Sequence, residues 1–335
     1  MGLIHGGQRA QAARHYGIAL DDWLDVSTGI APWSWPVPAL PDEVWSRLPE
    51  DTAALCAAAG AYYGCDAALL QAIPGSQFAI RRIPCQLAPA RVAIPVPGYG
   101  EHARAWRDAG HTVVGYTNIE ALHGLLGRID HAVVINPNNP TGECLDAAAL
   151  ADVQRGLGDG LLVVDEAFMD CGGQSLVPSL SKILSETNVI VLRSVGKFFG
   201  LAGIRLGFIA GRAELIGRVV DSIEPWGVSH PAVWIGTAAL RDSAWQQGQR
   251  ARIRRAGDEL AALLAHCFGA ERVAGAGLFA TVRFDNDRQA PVFFEALARQ
   301  GVLTRLGDDR RWLRFGLPGD QFVRLVQALD YAENT

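Results

Sequence analysis

Of the 30 Lys plus Arg residues in this 335-residue chain, only Lys182 and Lys197 are lysine. Most of that bias reads as arginine-favouring coding. A position that keeps lysine against it needs chemistry that arginine lacks, since lysine can be tuned to lose its proton and arginine cannot. Lys197 lies in RSVGKFFGLAGIRLG, three residues after Ser194 and eight before Arg205, which has a Gly-x-Arg-x-Gly setting. Upstream, Gly75-Ser76-Gln77 sits at a strand-to-helix turn in QAIPGSQFAIRR, where backbone amides and the helix dipole would face an anion. The run NPNNPTG follows one apolar segment at Asn136, and Asp165-Glu166 closes another. Each motif alone also fits a plain role. An N-N-P-T-G run makes a turn, a strand-end Asp makes a cap, and Ser-x-x-Lys serves a serine nucleophile in β-lactamases. Their order along the chain is the stronger signal.

The elements that must carry these residues follow from the apolar pattern. RVAIPVP (91–97), HTVVGYT (111–117), HAVVINP (131–137), LLVVDEAF (161–168), VIVLRSV (189–195) and IRLGFIAG (204–211) are short, β-branched and almost continuously apolar. Such strands are buried on both faces, as in a parallel sheet covered by helices. GEHARAWRDAG and DAAALADVQRGLG read as intervening helices, which makes a βα alternation. The last two strands are separated by too little chain for a crossover helix, so one of them is expected to run antiparallel. A helix is expected over DTAALCAAAGAYYG with Asp51 as N-cap and Gly64 as stop. The domain plan is an N-terminal arm, 1–40, a large domain, 41–220, and a small α+β domain, 221–335, with one long helical region over 229–267. Ligands of open α/β sheets bind beyond the carboxyl ends of the strands, where the polar residues above fall.

Composition narrows the function classes. Hydrophobic residues make up 49% and charged residues 19%, with a net charge of -5 and no basic runs beyond short helix faces. Nucleic-acid binding through phosphate contacts is not expected. Six scattered cysteines without a C-x-x-C pair argue against a zinc site or disulfide framework and for a reducing cytoplasm. No signal core or membrane span is expected.

Taken together, NNPTG, DEAF, SVGKFFGLAGIRLG and WLRFGLP, spread over residues 70–317, resemble the pyridoxal-phosphate enzymes of fold type I, class I/II aminotransferase branch. The resemblance implies an α/β fold with a mostly parallel central sheet and a smaller C-terminal domain. It implies that Lys197 forms the carbon–nitrogen double bond with the cofactor aldehyde and that Asp165 pairs with the pyridine nitrogen. Asn139 would donate to the phenolic oxygen, and Tyr99 would stack on the ring. Gly75, Ser76, Gln77, Ser194 and Arg205 would hold the cofactor phosphate, and Arg314 a substrate carboxylate. Lys182, in SLSKILSE, is expected on an exposed helix without a role. Two departures stand out. Phe168 replaces a tyrosine that reaches the phenolic oxygen, and Leu48-Pro49 replaces a Tyr-Pro pair.

HGGQRAQAARHYG followed by LDVSTGIAP is similar to the threonine-phosphate decarboxylases of the cobalamin pathway, with Ala31 where Asn is commoner. That resemblance implies release of CO2 from L-threonine O-3-phosphate, giving (R)-1-aminopropan-2-yl phosphate, by a cytoplasmic homodimer. His5, Gly6, Gly7 and Arg305 would then bind the substrate phosphate. The sequence leaves open which of Arg305 and Arg314 takes the carboxylate. A histidinol-phosphate aminotransferase shares nearly all the cofactor residues and is the alternative. A non-catalytic cofactor-binding partner or sensor protein is the reading outside enzymes.

Overall fold

The computed structural model describes residues 6–171 and 187–333. His5 and Lys182 lie outside the described residues. The chain divides into two compact units, one of residues 1–34, 140–142 and 249–335, the other of 35–139 and 143–248. This division differs from the arm and the boundary at 220 expected from composition. The arm groups with the C-terminal residues because its short strand β1, Leu24–Asp25, pairs with one of theirs. Residues 221–248 group with the larger unit, where the helix His230–Arg241 packs against the helix Ala53–Tyr63.

Seven strands form the sheet of the larger unit. They are β2 (Leu70–Ile73), β3 (Arg91–Pro95), β4 (Thr112–Tyr116), β5 (His131–Ile135), β6 (Leu162–Asp165), β7 (Val189–Ser194) and β8 (Gly207–Ala210). Their order is β2-β8-β7-β6-β5-β3-β4. β8 is antiparallel to both its neighbours, and the other pairings are parallel. The expected exception in the final pair is therefore β8. Helices cover the sheet: Ile80, Trp106 and Ile216 pack with Val92, Val163 and Ile209 in one buried cluster. Near-total burial of β6, β7 and β8 on both faces explains why these strands read as unbroken apolar runs, whereas the edge strand β4 is largely exposed or half-buried.

Two helix boundaries differ from the sequence reading. Thr52, not Asp51, is the N-cap of Ala53–Tyr63, although the Asp51 carboxylate still accepts from the Ala53 amide at 2.9 Å. Gly64 ends that helix in the left-handed region at φ 71°. The region 229–267 is two helices, His230–Arg241 and Ser243–Phe268, broken at Asp242. Asp242 ends the first and its carboxylate caps the second by accepting from the Trp245 amide at 3.0 Å.

The smaller unit carries β9 (Val273–Gly275), β10 (Phe279–Arg283), β11 (Val302–Leu303), β12 (Arg305–Leu306) and β13 (Trp312–Gly316). Four of these form an antiparallel sheet in the order β12-β13-β10-β9, while β11 pairs with β1 in parallel. The helix Arg9–Tyr16 seats Ala12 in a small core with Trp23, Ala298 and Leu303.

At the start of β5, His131 Nδ1 accepts from the Leu161 amide at 3.0 Å. Burial lowers its pKa below the ordinary 6.5; Asp130 opposes the shift and His111 adds to it. The unfolded chain thus takes up this proton at higher pH than the folded chain. The stability involved is present above pH 6.5 and is lost as pH falls through the folded pKa. We expect the melting temperature to drop less between neutral pH and about pH 5 in His131→Asn than in the wild type. Scanning fluorimetry across that range checks it.

Candidate active site

Gly75, with which the expected anion cup begins, forms the turn between β2 and the helix Ser76–Arg82. Gly75 sits at φ +79°, which side chains other than hydrogen rarely tolerate. A Cβ there would lie 2.6 Å from Arg205 Nη2. Arg205 itself is left-handed, at φ 52° and ψ 54°, an unusual conformation for a residue with a side chain. Its Nη1 donates to Ala202 O at 3.1 Å. Ser194, at the end of β7, is the Cα partner of Gly207 across the antiparallel ladder. A Cβ on Gly207 would meet the Ser76 amide nitrogen at 2.8 Å. Gly75, Ser76, Ser194 and Arg205 therefore converge on one place, held by two glycines that keep the backbones close. Arg205 and Gln77 also line an open groove of about 440 Å³ with Pro74, Phe78, Arg81 and Arg82.

Gln77 has a second task. Its Oε1 accepts from the Tyr99 hydroxyl at 3.0 Å, and its Nε2 donates to Glu101 Oε2 at 2.9 Å. Glu101 is itself buried and paired with Arg81. The Gln77 side chain thus orients Tyr99.

Asp165 ends β6 with 4% exposure. His102 Nε2 lies 2.9 Å from its Oδ2, and its Oδ1 accepts from the Ala167 amide at 3.1 Å. With the carboxylate ionised, the imidazole N–H is the donor. His102 is 1% exposed and meets the Tyr99 ring edge-on, with centroids 6.2 Å apart. The sequence reading missed His102. Its signal is its spacing: His102 lies three residues after Tyr99, so the first turn of the helix Gly100–Asp108 brings both to one side.

Lys197 lies in the short helix Val195–Phe198 and is half-buried. Its Nζ stands over the Phe168 ring, 5.3 Å from the centroid. Phe168 follows Asp165 by three residues, so the amine stands at the carboxyl end of β6. Asn139 is half-buried in a turn held from both sides by Asn136, which donates to Leu145 O at 3.0 Å and accepts from the Leu145 amide at 2.8 Å. Asn138 adds a bond to Pro97 O at 3.0 Å.

In the smaller unit, Arg305 and Arg314 are Cα partners on adjacent antiparallel strands, which puts both side chains on one face of the sheet. Arg314 is 7% exposed, its Nη2 donates to Ser27 O at 2.7 Å, and its Cζ lies 5.4 Å from the Phe279 ring. Arg305 pairs with Asp308 at 3.0 Å. A Cβ on Gly6 would lie 2.4 Å from Ser27 O. The Gly7 amide donates to Ser27 Oγ at 2.7 Å, and Gly6 and Gly7 lie against Ser27 and Thr28.

The pattern of the aminotransferase class I and II family matches residues 48–328. The chain belongs to that family. Over 98% of its length it is 43% identical to a threonine-phosphate decarboxylase of Pseudomonas aeruginosa, covering 97% of that protein. It is 40% identical to a threonine-phosphate decarboxylase of a Sinorhizobium species, over 95% of this chain and 94% of the relative. The fold is similar to a histidinol-phosphate aminotransferase from Sinorhizobium meliloti solved with pyridoxal-5'-phosphate. That likeness has a TM-score of 0.81 at 20% identity and covers 100% of this chain and 95% of that one.

The residues present fit a phosphorylated pyridine aldehyde. They offer an anion cup that a glycine Cβ would fill, a buried carboxylate held by a donor, and an amine beside it. We expect Gly75→Ala to weaken pyridoxal phosphate binding roughly tenfold or more through backbone strain and contact with Arg205. Gly203→Ala, where a Cβ meets nothing within 4 Å, should leave it unchanged. Fluorescence titration of both variants checks this.

Proposed function

We propose that the chain is a pyridoxal-phosphate-dependent threonine-phosphate decarboxylase, converting L-threonine O-3-phosphate to (R)-1-aminopropan-2-yl phosphate and CO2 for cobalamin biosynthesis. The observation that carries this is the extent of the similarity. A match of 43% identity over 98% of the chain must take in most of the N-terminal segment as well as the cofactor motifs.

In this reading the amides of Gly75, Ser76 and Gln77, with Ser194 and Arg205, hold the cofactor phosphate. Asp165 holds a proton on the ring nitrogen, Asn139 donates to the phenolic oxygen, and Tyr99 covers the ring. Bound there, the cofactor supplies an electron sink for the electrons left at the substrate's Cα. His102 donates to Asp165 and fixes the orientation of its carboxylate. Arg314 and Arg305, on one face of the small sheet, take the two anionic groups of the substrate. Two anchors fix the rotation about Cα and so decide which of its bonds breaks, with binding energy from the remote phosphate favouring the reactive orientation. Lys197 in its ammonium form would donate a proton to Cα after CO2 has left, becoming the neutral amine. Phe168 leaves an apolar face beside that amine where related aminotransferases carry a hydroxyl. The reading extends to a homodimer in the cytoplasm. It is consistent with six free cysteines and, among the described residues, with no helix long and apolar enough to cross a membrane.

The test is to purify the chain with pyridoxal phosphate and supply L-threonine O-3-phosphate. We expect CO2 release without a 2-oxoacid acceptor, and loss of both CO2 release and the imine absorption band in Lys197→Ala. Turnover that depends on 2-oxoglutarate and releases no CO2 would instead indicate an aminotransferase.

A further inference from the structure

Every polar group of Ser27 is engaged. Its amide and its hydroxyl both donate to Asp25 Oδ1, at 2.9 and 2.6 Å. The hydroxyl oxygen accepts from the Gly7 amide at 2.7 Å, and the carbonyl accepts from Arg314 Nη2 at 2.7 Å. The residue is 2% exposed. Its neighbours fix it from both sides: the Val26 amide donates to Leu303 O at 3.0 Å, and Val26 O accepts from the Gly316 amide at 2.6 Å. Two glycines let other backbone lie this close. A Cβ on Gly6 would fall 2.4 Å from Ser27 O, and one on Gly316 2.1 Å from Thr28 O.

We propose that Ser27 is a positioning residue that couples the N-terminal arm to Arg314. Asp25 accepts the hydroxyl proton and so turns a lone pair of Oγ toward the Gly7 amide. The carbonyl of the same residue aims the Arg314 guanidinium. Because coupling is reciprocal, a substrate anion that fixes Arg314 also fixes the arm, and a loosened arm loosens Arg314. The substrate side of this inference rests on the reading that Arg314 binds an anionic group of phosphothreonine.

Ser27→Ala and Ser27→Thr test it in the full-length, cofactor-loaded protein. Steady-state decarboxylation gives KM and kcat, and amide hydrogen exchange is followed at Gly7. In Ser27→Ala, which loses both hydrogen bonds of the hydroxyl, we expect KM for phosphothreonine to rise about fivefold, with kcat changed less than about twofold. Gly7 exchange should be about tenfold faster. Ser27→Thr, which keeps the hydroxyl, should recover most of both. Cofactor affinity should not move. Gly7 exchange unchanged in folded Ser27→Ala, or a fall in kcat with KM unmoved, overturns the proposal. If Ser27→Ala does not fold, Asp25→Ala, which removes the acceptor of the hydroxyl, gives the same readings, and unchanged exchange there overturns it too. If the wild type releases no CO2 from phosphothreonine, the functional reading fails by itself. The coupling is then decided by Gly7 exchange in Arg314→Lys, where faster exchange supports it and unchanged exchange refutes it.

Discussion

A carboxylate taken almost wholly out of water is the constraint around which the larger unit is arranged. Burying an ionised group is expensive unless donors replace the water it loses. Asp165 has two such donors, the His102 ring and the Ala167 amide. The first requires the helix Gly100–Asp108 to start beside the end of β6, and that placement also brings Tyr99 to the site. Gln77 and Glu101 then fix Tyr99 and join the same helix to Ser76–Arg82, which carries the anion cup. One buried charge thus organises two helices and the loop that begins each.

The residue that follows β6, Glu166, meets a similar demand. Glu166 and Asp170 are buried and both pair with Arg193, whose Cζ lies 4.4 Å from the Tyr63 ring. Burial works against the charge on Arg193, but Asp170 and Glu166 outweigh it and raise its pKa. Tyr62 adds a hydrogen bond to Asp170 at 3.0 Å. Asp165 and Glu166, adjacent in the chain, thus have separate partners: His102 for the first and the Arg193 ion pairs for the second. Arg193 lies four residues before Lys197, so these ion pairs also anchor the strand that presents the amine.

Much of the fold was legible because strands buried on both faces leave an unbroken β-branched signature, and all six such runs contain strands. The antiparallel pair could be read from the short connection alone. That Gly75, Asp165 and Lys197 fall at or just beyond strand ends was legible, because their order follows the apolar runs. The place of His102 was not, since a histidine in a first helical turn looks like any other until the strand beside it is known. Ser27 was hidden for a related reason. Its partners, Gly7 and Arg314, lie at opposite ends of the chain, and no local pattern links them. The grouping of the arm with residues 249–335 was invisible for the same cause, because strand pairing between distant segments leaves no mark in composition.

The connection from Ser194 to Gly207 joins neighbouring antiparallel strands and carries both Lys197 and Arg205. On the proposed reading, the lysine that bonds the cofactor and the arginine that holds its phosphate share one short loop pinned at both ends by the same ladder, and so cannot be tuned separately. Laboratory evolution toward new substrates should therefore gain little by varying this loop. Useful diversity should come from the small antiparallel sheet, where side chains change without moving the tethered pair.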